Sequence, residues 1–169
     1  MADPAHLLDA LSADDARAAL ARCCGARRWV DGMLARRPYG TRDALHRAAD
    51  EVWAQLGRDD YLEAFSHHPR IGADLAALRA RFAATASWSS AEQAGVAEAD
   101  EATLARLAAG NRAYEARFGF LFLVCAQGLS AGALLDALEA RLANDPGAEL
   151  GIAAREQAKI THLRLEKLA

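Results

Sequence analysis

EATLARLAAGNRAYEARF, residues 101–118, is the stretch with the most regular spacing of apolar side chains. Leu104, Leu107, Asn111, Tyr114 and Phe118 follow one another at steps of three and four, so they share one face of an α-helix. Asn111 is the polar exception on that face. A buried amide without hydrogen-bond partners costs about 1–3 kcal/mol. Asn111 therefore either makes a structural hydrogen bond or belongs to a functional site.

The rest of the chain also favours helix. Ala, Leu, Arg and Glu dominate, and β-branched residues are scarce and never alternate over the length of a strand. Residues typical of helix starts are Ser12, Thr41, Asp59 or Asp60, Ser89, Asp100 and Ser130. Residues typical of helix ends are Gly25, Pro38 to Gly40, Pro69, Gly128 and Asp145 to Gly147. The sequence therefore predicts an all-α fold, a single domain over residues 1–169 built as a bundle of seven or eight helices.

The last of these helices is predicted over residues 149–167. It places Ala153, Gln157, Ile160 and Arg164 on one stripe. A stripe with apolar members faces the interior, so we expect Arg164 to point inward.

Charge and hydropathy exclude several classes of protein. The 169 residues carry 20 Lys and Arg against 23 Asp and Glu, and 53% are hydrophobic. This balance excludes a disordered chain, and the absence of a basic block argues against binding to nucleic acid or to an anionic membrane. The longest apolar run, residues 118–126, is far shorter than the roughly 20 residues that span a bilayer. We expect a cytoplasmic protein whose partner is a small molecule or another protein.

Metal and disulfide sites are not expected. Cys23 and Cys24 are adjacent and Cys125 is distant, which suits neither a disulfide framework nor paired zinc ligands. His67 and His68 are also adjacent, and neighbours on a helix diverge by about 100°. No activating neighbour of Cys125 is visible, so nucleophilic catalysis by this residue is not expected.

The segment around His68 ends a predicted helix. Proline disfavours the α conformation at the residue before it, so the helix should end near His68, directly before Pro69. An imidazole at a helix C-terminus either does chemistry or interacts favourably with the helix dipole. The other histidines, His6, His46 and His162, are predicted to be surface residues.

Two further segments permit both a structural and a functional interpretation. Ser89 and Glu92 fit the capping-box pattern, and the free amides of such a helix start can also bind an anion or amide, with the carboxylate beside them. Residues 118–126 are apolar on every side, which is typical of core. The glycine at 119 between two phenylalanines indicates a break where backbone groups can face a ligand.

Four blocks together resemble one known family. They are His-Pro-x-x-Gly at 68–72, Ser-x-x-Glu-Gln at 89–93, Asn-x-x-Tyr-x-x-x-Phe-Gly-Phe-x-Phe at 111–122, and Glu-x-x-x-Ile-x-x-x-Arg-Leu at 156–165. Their order and the length of the chain are similar to the 2-oxo-4-hydroxy-4-carboxy-5-ureidoimidazoline (OHCU) decarboxylases of urate degradation. The resemblance implies an all-α, cofactor-free homodimer that converts OHCU to (S)-allantoin and CO2.

The resemblance also implies the site. His68 and Glu92 match the catalytic histidine and glutamate, and the histidine directly before proline selects His68 over His67. The implied substrate contacts are Pro69, Ser89, Gln93, Phe122, Leu123, Val124, Cys125, Ala126 and Arg164, with no metal. Two other functions share parts of the pattern: another cofactor-independent lyase or hydrolase acting on an amide-rich heterocycle, and a non-catalytic helical interaction module.

Overall fold

The computed structural model describes residues 3–70, 76 and 90–169, without the side chains of residues 90–100. These residues form eight helices: α1 (Pro4–Ala10), α2 (Ala13–Cys23), α3 (Arg27–Leu34), α4 (Arg42–Ala54), α5 (Arg58–Ser66), α6 (Ser90–Phe118), α7 (Ala131–Leu142) and α8 (Pro146–Glu166). The same residues contain no strand, which confirms the all-α prediction. None of their helices has the length and apolar character needed to cross a membrane.

The chain divides into two compact units. One comprises Met1–His68 and Ile152–Ala169, and the other comprises Pro69–Gly151. Helix α3 lies centrally in the first unit, where it contacts α2, α4 and α5. Gly32 allows α3 to approach α4 closely, because a Cβ there would lie 2.6 Å from Val52 Cγ1. The largest fully buried side chains of this unit are Leu8, Leu20, Trp29, Met33, Leu45, Gln157, Phe65 and Leu165.

Two buried tryptophans join helices of the first unit through their indole N–H groups. Trp29 donates to the Ala49 carbonyl in α4 at 3.2 Å, and Trp53 donates to the Ala154 carbonyl in α8 at 3.0 Å. A buried indole N–H needs such a partner. These bonds therefore fix α3 and α8 against α4.

Three of the predicted helix starts are confirmed. Ser12, Thr41 and Ser130 each accept a hydrogen bond from the backbone N–H three residues further on. This bond satisfies one of the donors that a helix start leaves free.

Two predicted starts are wrong. Helix α5 begins at Arg58, directly after Gly57. Asp60 therefore lies in the first turn of the helix and not before it, and its carboxylate accepts a hydrogen bond from the Gly57 N–H at 3.0 Å. Asp100 lies inside α6; an aspartate costs a helix less than about 1 kcal/mol, too little to interrupt it. Ser89 lies outside the described residues.

Two of the residues predicted at helix ends, Gly128 and Asp145, have a different role. Helix α6 ends at Phe118, the last residue of the periodic stretch 101–118, and is followed by Gly119 with φ +78, whereas Gly128 lies in the turn before α7 and ends no helix. The positive φ is the left-handed conformation that glycine adopts without steric cost. Asp145 marks a helix start, because its carboxylate accepts from the N–H groups of Gly147 and Ala148 in α8.

Helices α6 and α7 pack together in the second unit. Leu104, Leu107, Tyr114 and Phe118 are buried, as the spacing predicted. Asn111 donates its amide N–H to the Leu107 carbonyl of the same helix at 2.9 Å. This bond favours the structural role of Asn111 over a role in the site.

Candidate active site

His68 lies just beyond the end of α5. The helix ends at Ser66, and the His68 N–H still donates to the Phe65 carbonyl at 3.1 Å. The chain then leaves the helix at Pro69, which is exposed. The predicted helix end is therefore confirmed, and it presents a half-buried imidazole at a helix C-terminus.

The two ring nitrogens of His68 have different partners on α8. Nε2 lies 2.6 Å from Gln157 Oε1, and Nδ1 lies 3.4 Å from Arg164 Nη2. An amide oxygen only accepts hydrogen bonds and a guanidinium only donates them. Nε2 of His68 therefore carries a proton, and Nδ1 presents its lone pair to Arg164.

The surroundings of His68 favour the neutral imidazole. Burial lowers the pKa of His68, and the charges of Arg164 and His67 lower it further, while the bond to Gln157 opposes these effects. A neutral imidazole can accept a proton at pH 7, and the imidazolium that forms can then donate it.

Arg164 is anchored at the end of α2. Its Nη1 lies 3.4 Å from the carbonyl oxygens of Arg22 and Cys23. The last carbonyls of a helix carry partial negative charge, so this end of α2 holds the guanidinium beside His68. The structure thus brings together two of the predicted site residues, His68 and Arg164.

The adjacent cysteines next to Arg164 are not nucleophiles. Burial raises the pKa of Cys23 to about 12 and that of Cys24 to about 11. Both thiols therefore remain protonated near neutral pH, where a nucleophile needs the thiolate.

Gly25 determines how closely His67 packs against the link between α2 and α3. A Cβ at Gly25 would lie 2.4 Å from His67 Cδ2 and Cγ, and 2.7 Å from its Cβ. Only glycine leaves room for His67 in this position. Because His67 directly precedes His68, a displacement of His67 would also shift the backbone that carries the half-buried imidazole.

The predicted contacts at 122–126 belong to the segment between α6 and α7. Phe122 and Leu123 are buried, and Val124, Cys125 and Ala126 are half-buried. The segment follows the positive-φ Gly119 and has no regular structure up to residue 126, as the predicted break requires. Ser89 and the side chains of Glu92 and Gln93 lie outside the described residues; the backbone at 92 and 93 belongs to α6.

A buried ion pair holds this segment. Arg141 Nη1 donates to the Leu123 carbonyl at 2.7 Å, and Arg141 Nε donates to the fully buried Glu149 at 2.6 Å. The Arg141 guanidinium also lies 4.7 Å from the centre of the Phe122 ring. The Tyr114 hydroxyl donates to Glu149 as well; burial, followed by this bond, raises the pKa of Tyr114, so the hydroxyl keeps its proton.

The sequence did not assign a role to three of these residues, Gln157, Arg141 and Glu149. Gln157 stood on the inward stripe of the last helix, and its polarity there was the available indication. Nothing in the sequence distinguished Arg141 and Glu149 from the many other charged residues. Burial alone identifies them.

The histidines outside the site differ from the surface prediction in two cases. His6 is exposed, as expected. His46 and His162 are half-buried, with their Nδ1 atoms 2.5 Å apart, and their Nε2 atoms face Glu166 and Asp50. No group of three or more His, Cys, Asp or Glu side chains in the described part of the chain is arranged to hold a metal ion.

Comparison with known proteins decides the family. The sequence model of OHCU decarboxylases matches residues 9–166. The chain belongs to the OHCU decarboxylase family. This confirms the resemblance that the four sequence blocks indicated.

Two curated relatives of the family share more than a third of their aligned residues with the chain. It is 37% identical over 147 residues to the uric acid degradation bifunctional protein TTL of Arabidopsis thaliana, covering 86% of this chain and 45% of that protein. It is 38% identical over 76 residues to the OHCU decarboxylase of Amia calva, covering 45% of this chain and 43% of that protein. The aligned part of the chain thus spans less than half the length of either relative.

Two solved structures resemble this chain. A crystal structure of an OHCU decarboxylase in the presence of (S)-allantoin is 36% identical with a TM-score of 0.70, covering 88% of this chain and 94% of that one. A structure of (S)-allantoin synthase is 19% identical with a TM-score of 0.69, covering 96% of this chain and 53% of that one. The second likeness concerns the fold alone.

Proposed function

We propose that this chain decarboxylates OHCU to (S)-allantoin and CO2. The observation that carries the proposal is the pairing of His68 with Arg164 in a member of this family. A neutral imidazole that is half-buried beside a guanidinium can exchange a proton with an anionic substrate while the cation holds that substrate. The related structure solved in the presence of (S)-allantoin supports the same substrate class.

The substrate supplies the electron sink for this reaction. Loss of CO2 breaks the bond between the carboxyl group and the hydroxyl-bearing ring carbon. The released electron pair forms a double bond to the neighbouring ureido-bearing carbon, whose C=N electrons move onto the ring nitrogen. We therefore propose that the enzyme works without a cofactor.

The remaining steps move protons. The hydroxyl group loses its proton as the ring carbonyl forms, and the ureido-bearing carbon gains a proton on one face, which sets the S configuration. The ring nitrogen takes up one further proton from solvent, which balances the loss of CO2 from a carboxylate. We assign His68 to the transfer from the hydroxyl group to the carbon, first as acceptor and then as general acid.

The other residues bind and orient the substrate in this proposal. Glu92, the second catalytic residue, accepts hydrogen bonds from ring or ureido N–H groups, and Ser89 and Arg164 donate to carbonyl or carboxylate oxygens. Further contacts come from Pro69 and Gln93 and from the backbone of Phe122, Leu123, Val124, Cys125 and Ala126. The bond from Arg141 to the Leu123 carbonyl supports this last assignment, because it fixes the backbone of that segment.

We also propose that the chain acts as a cytoplasmic homodimer that binds neither membranes nor nucleic acid. The family resemblance supports the dimer, and the net charge of −3 without a basic block supports the absence of nucleic acid as a partner. Light scattering on the purified protein measures the dimer directly.

Stereospecific product formation tests the function. OHCU is generated enzymatically, and the formation of (S)-allantoin is followed by circular dichroism. The spontaneous decay of OHCU is not stereospecific and is subtracted with a protein-free control. We expect a dichroic signal with this protein and the protein-free rate with His68→Asn. Decay at the protein-free rate, without (S)-allantoin, would reject the proposed function and leave a different lyase, a hydrolase or a non-catalytic module.

A further inference from the structure

Gln157 is a fully buried amide that joins the candidate catalytic histidine to the interior of the first unit. Its Oε1 lies 2.6 Å from His68 Nε2, and its Nε2 donates to Thr161 Oγ1 at 3.1 Å. Gln157 and Thr161 lie four residues apart on α8, so they share one face of that helix. Both ends of the amide are therefore hydrogen-bonded.

The bond to Thr161 defines which end of the Gln157 amide faces His68. Gln157 Nε2 lies 3.1 Å from Thr161 Oγ1, and an amide nitrogen can only donate, so the hydroxyl oxygen accepts this bond. The amide oxygen is then the atom that faces His68.

Arg164 favours the same arrangement of the His68 ring. Its Nη2 faces His68 Nδ1 at 3.4 Å and can only donate. A proton on Nδ1 would oppose the guanidinium, whereas a lone pair there accepts from it. Two groups at opposite sides of the ring thus select the tautomer with its proton on Nε2.

We propose that Gln157 is a positioning residue that keeps the His68 proton on Nε2, so that Nδ1 is the nitrogen that exchanges protons with the substrate. Thr161 acts through Gln157, because it holds the amide in the orientation that accepts from the imidazole. This inference rests on the proposed function only in the identity of the substrate. The tautomer belongs to the free protein and can be measured without OHCU.

The first measurement is the tautomer of His68 by 15N NMR of the imidazole, with His68→Asn used to assign the signals. We expect the free wild-type protein to show a neutral ring protonated on Nε2. Thr161→Val removes the hydroxyl at nearly constant shape, and Gln157→Leu removes the acceptor; both should yield a mixture of tautomers. Thr161→Ser keeps the hydroxyl and should retain the wild-type spectrum.

The second measurement is kcat against KM for OHCU in the same variants. A ring held in the wrong tautomer slows proton transfer more than it weakens binding. We expect kcat to fall about 10-fold or more in Gln157→Leu and Thr161→Val, with a smaller change in KM. Gln157→Glu keeps an acceptor and adds a negative charge, so it should retain the tautomer and raise the pH of the acidic limb of the rate profile.

The outcomes separate the two proposals. A Gln157→Leu protein with the wild-type tautomer and wild-type kcat, or one that loses kcat without any change in tautomer, would overturn the positioning role. If Gln157→Leu does not fold, the tautomer and kcat of Thr161→Val, compared with those of Thr161→Ser, test the positioning role in its place. A wild-type protein with the expected tautomer but no turnover of OHCU would reject the proposed function and leave the positioning of the ring established.

Discussion

The His68 imidazole and the Arg164 guanidinium face each other at 3.4 Å, with Nη2 of the arginine directed at Nδ1 of the histidine. Repulsion between this cation and an imidazolium contributes to the lowered pKa of His68, after the effect of burial. The arginine therefore has two effects on one ring: it selects the tautomer and it disfavours the charged form.

Replacement of His68 tests the proton-transfer role. We expect His68→Asn to lower kcat by about 100-fold or more, within the range that general acid–base groups contribute. His67→Asn serves as the control, because His67 is exposed and makes no comparable contact with Gln157 or Arg164. Equal losses at the two positions would remove the assignment of His68.

Removal of the Arg164 charge should change the titration of His68 in a defined direction. A cation beside the ring lowers its pKa, so we expect Arg164→Met to raise the pKa of His68, though only in part because burial remains. NMR titration of the substrate-free protein measures this shift. In the wild type, the His68 imidazole should stay neutral to a lower pH than the imidazole of an ordinary histidine. We therefore expect kcat/KM to keep its value down to that lower pH. A pKa that falls or does not move in Arg164→Met would contradict the electrostatic argument.

Gly25→Ala should disturb the site through His67. The new methyl group would lie 2.4 Å from the His67 ring, and overpacking of this kind costs about 1–3 kcal/mol. We expect lower stability in urea unfolding and a lower kcat. His67→Gly removes the three nearest atoms, so the double variant should recover most of both losses. No recovery would show that the glycine is needed for a different reason.

The Arg141–Glu149 pair should matter far more for stability than an exposed pair in the same unit. Arg141→Met leaves the fully buried Glu149 carboxylate without its cation, and breaking a buried pair costs about 3–5 kcal/mol. The matched control is Arg106→Met, because the side chains of Arg106 and Glu139 are 63% and 42% exposed; we expect less than about 1 kcal/mol there. Urea unfolding of both variants gives the comparison. Similar losses would indicate that the buried pair contributes no more than a surface contact.

Glu92→Gln distinguishes a capping role from a substrate contact. In a capping role a glutamine can replace the glutamate at the helix start, so stability should change by only a few tenths of a kcal/mol. If Glu92 accepts N–H groups of the substrate, as proposed, an amide donor opposes them and kcat/KM should fall by about 5- to 150-fold. Ser89→Ala is the companion variant that should lose stability under either role. Wild-type kinetics in Glu92→Gln would reduce Glu92 to a structural residue.

Local sequence patterns predicted much of the fold. The caps at Ser12, Thr41 and Ser130 and the buried face of residues 104–118 depend on neighbours within four positions, so the sequence alone reveals them. The helix starts predicted from Asp60 and Asp100 are wrong, because an aspartate can be an N-cap, a carboxylate in the first turn or an ordinary helical residue. Which of these occurs depends on the backbone around it.

The site was predictable only where a motif marked it. The His68–Pro69 dipeptide determined a helix end, and the family resemblance selected Arg164. The bond between Gln157 and His68 joins residues 89 positions apart, and no periodicity reports a contact at that separation. The same applies to the buried charge of Glu149, whose partners lie on α6, α7 and the turn before α8.

The anchoring of Arg164 on the carbonyl of Arg22 has a consequence for the order of folding events. These residues are 142 positions apart, whereas the hydrogen bonds of each helix close loops of four residues. Contacts of high sequence separation form late and slowly, because chain closure is entropically costly before other interactions compensate for it. Helical content can thus return early in refolding while the pairing of His68 with Arg164 is still absent, and enzymatic activity reports the completed topology rather than the helices.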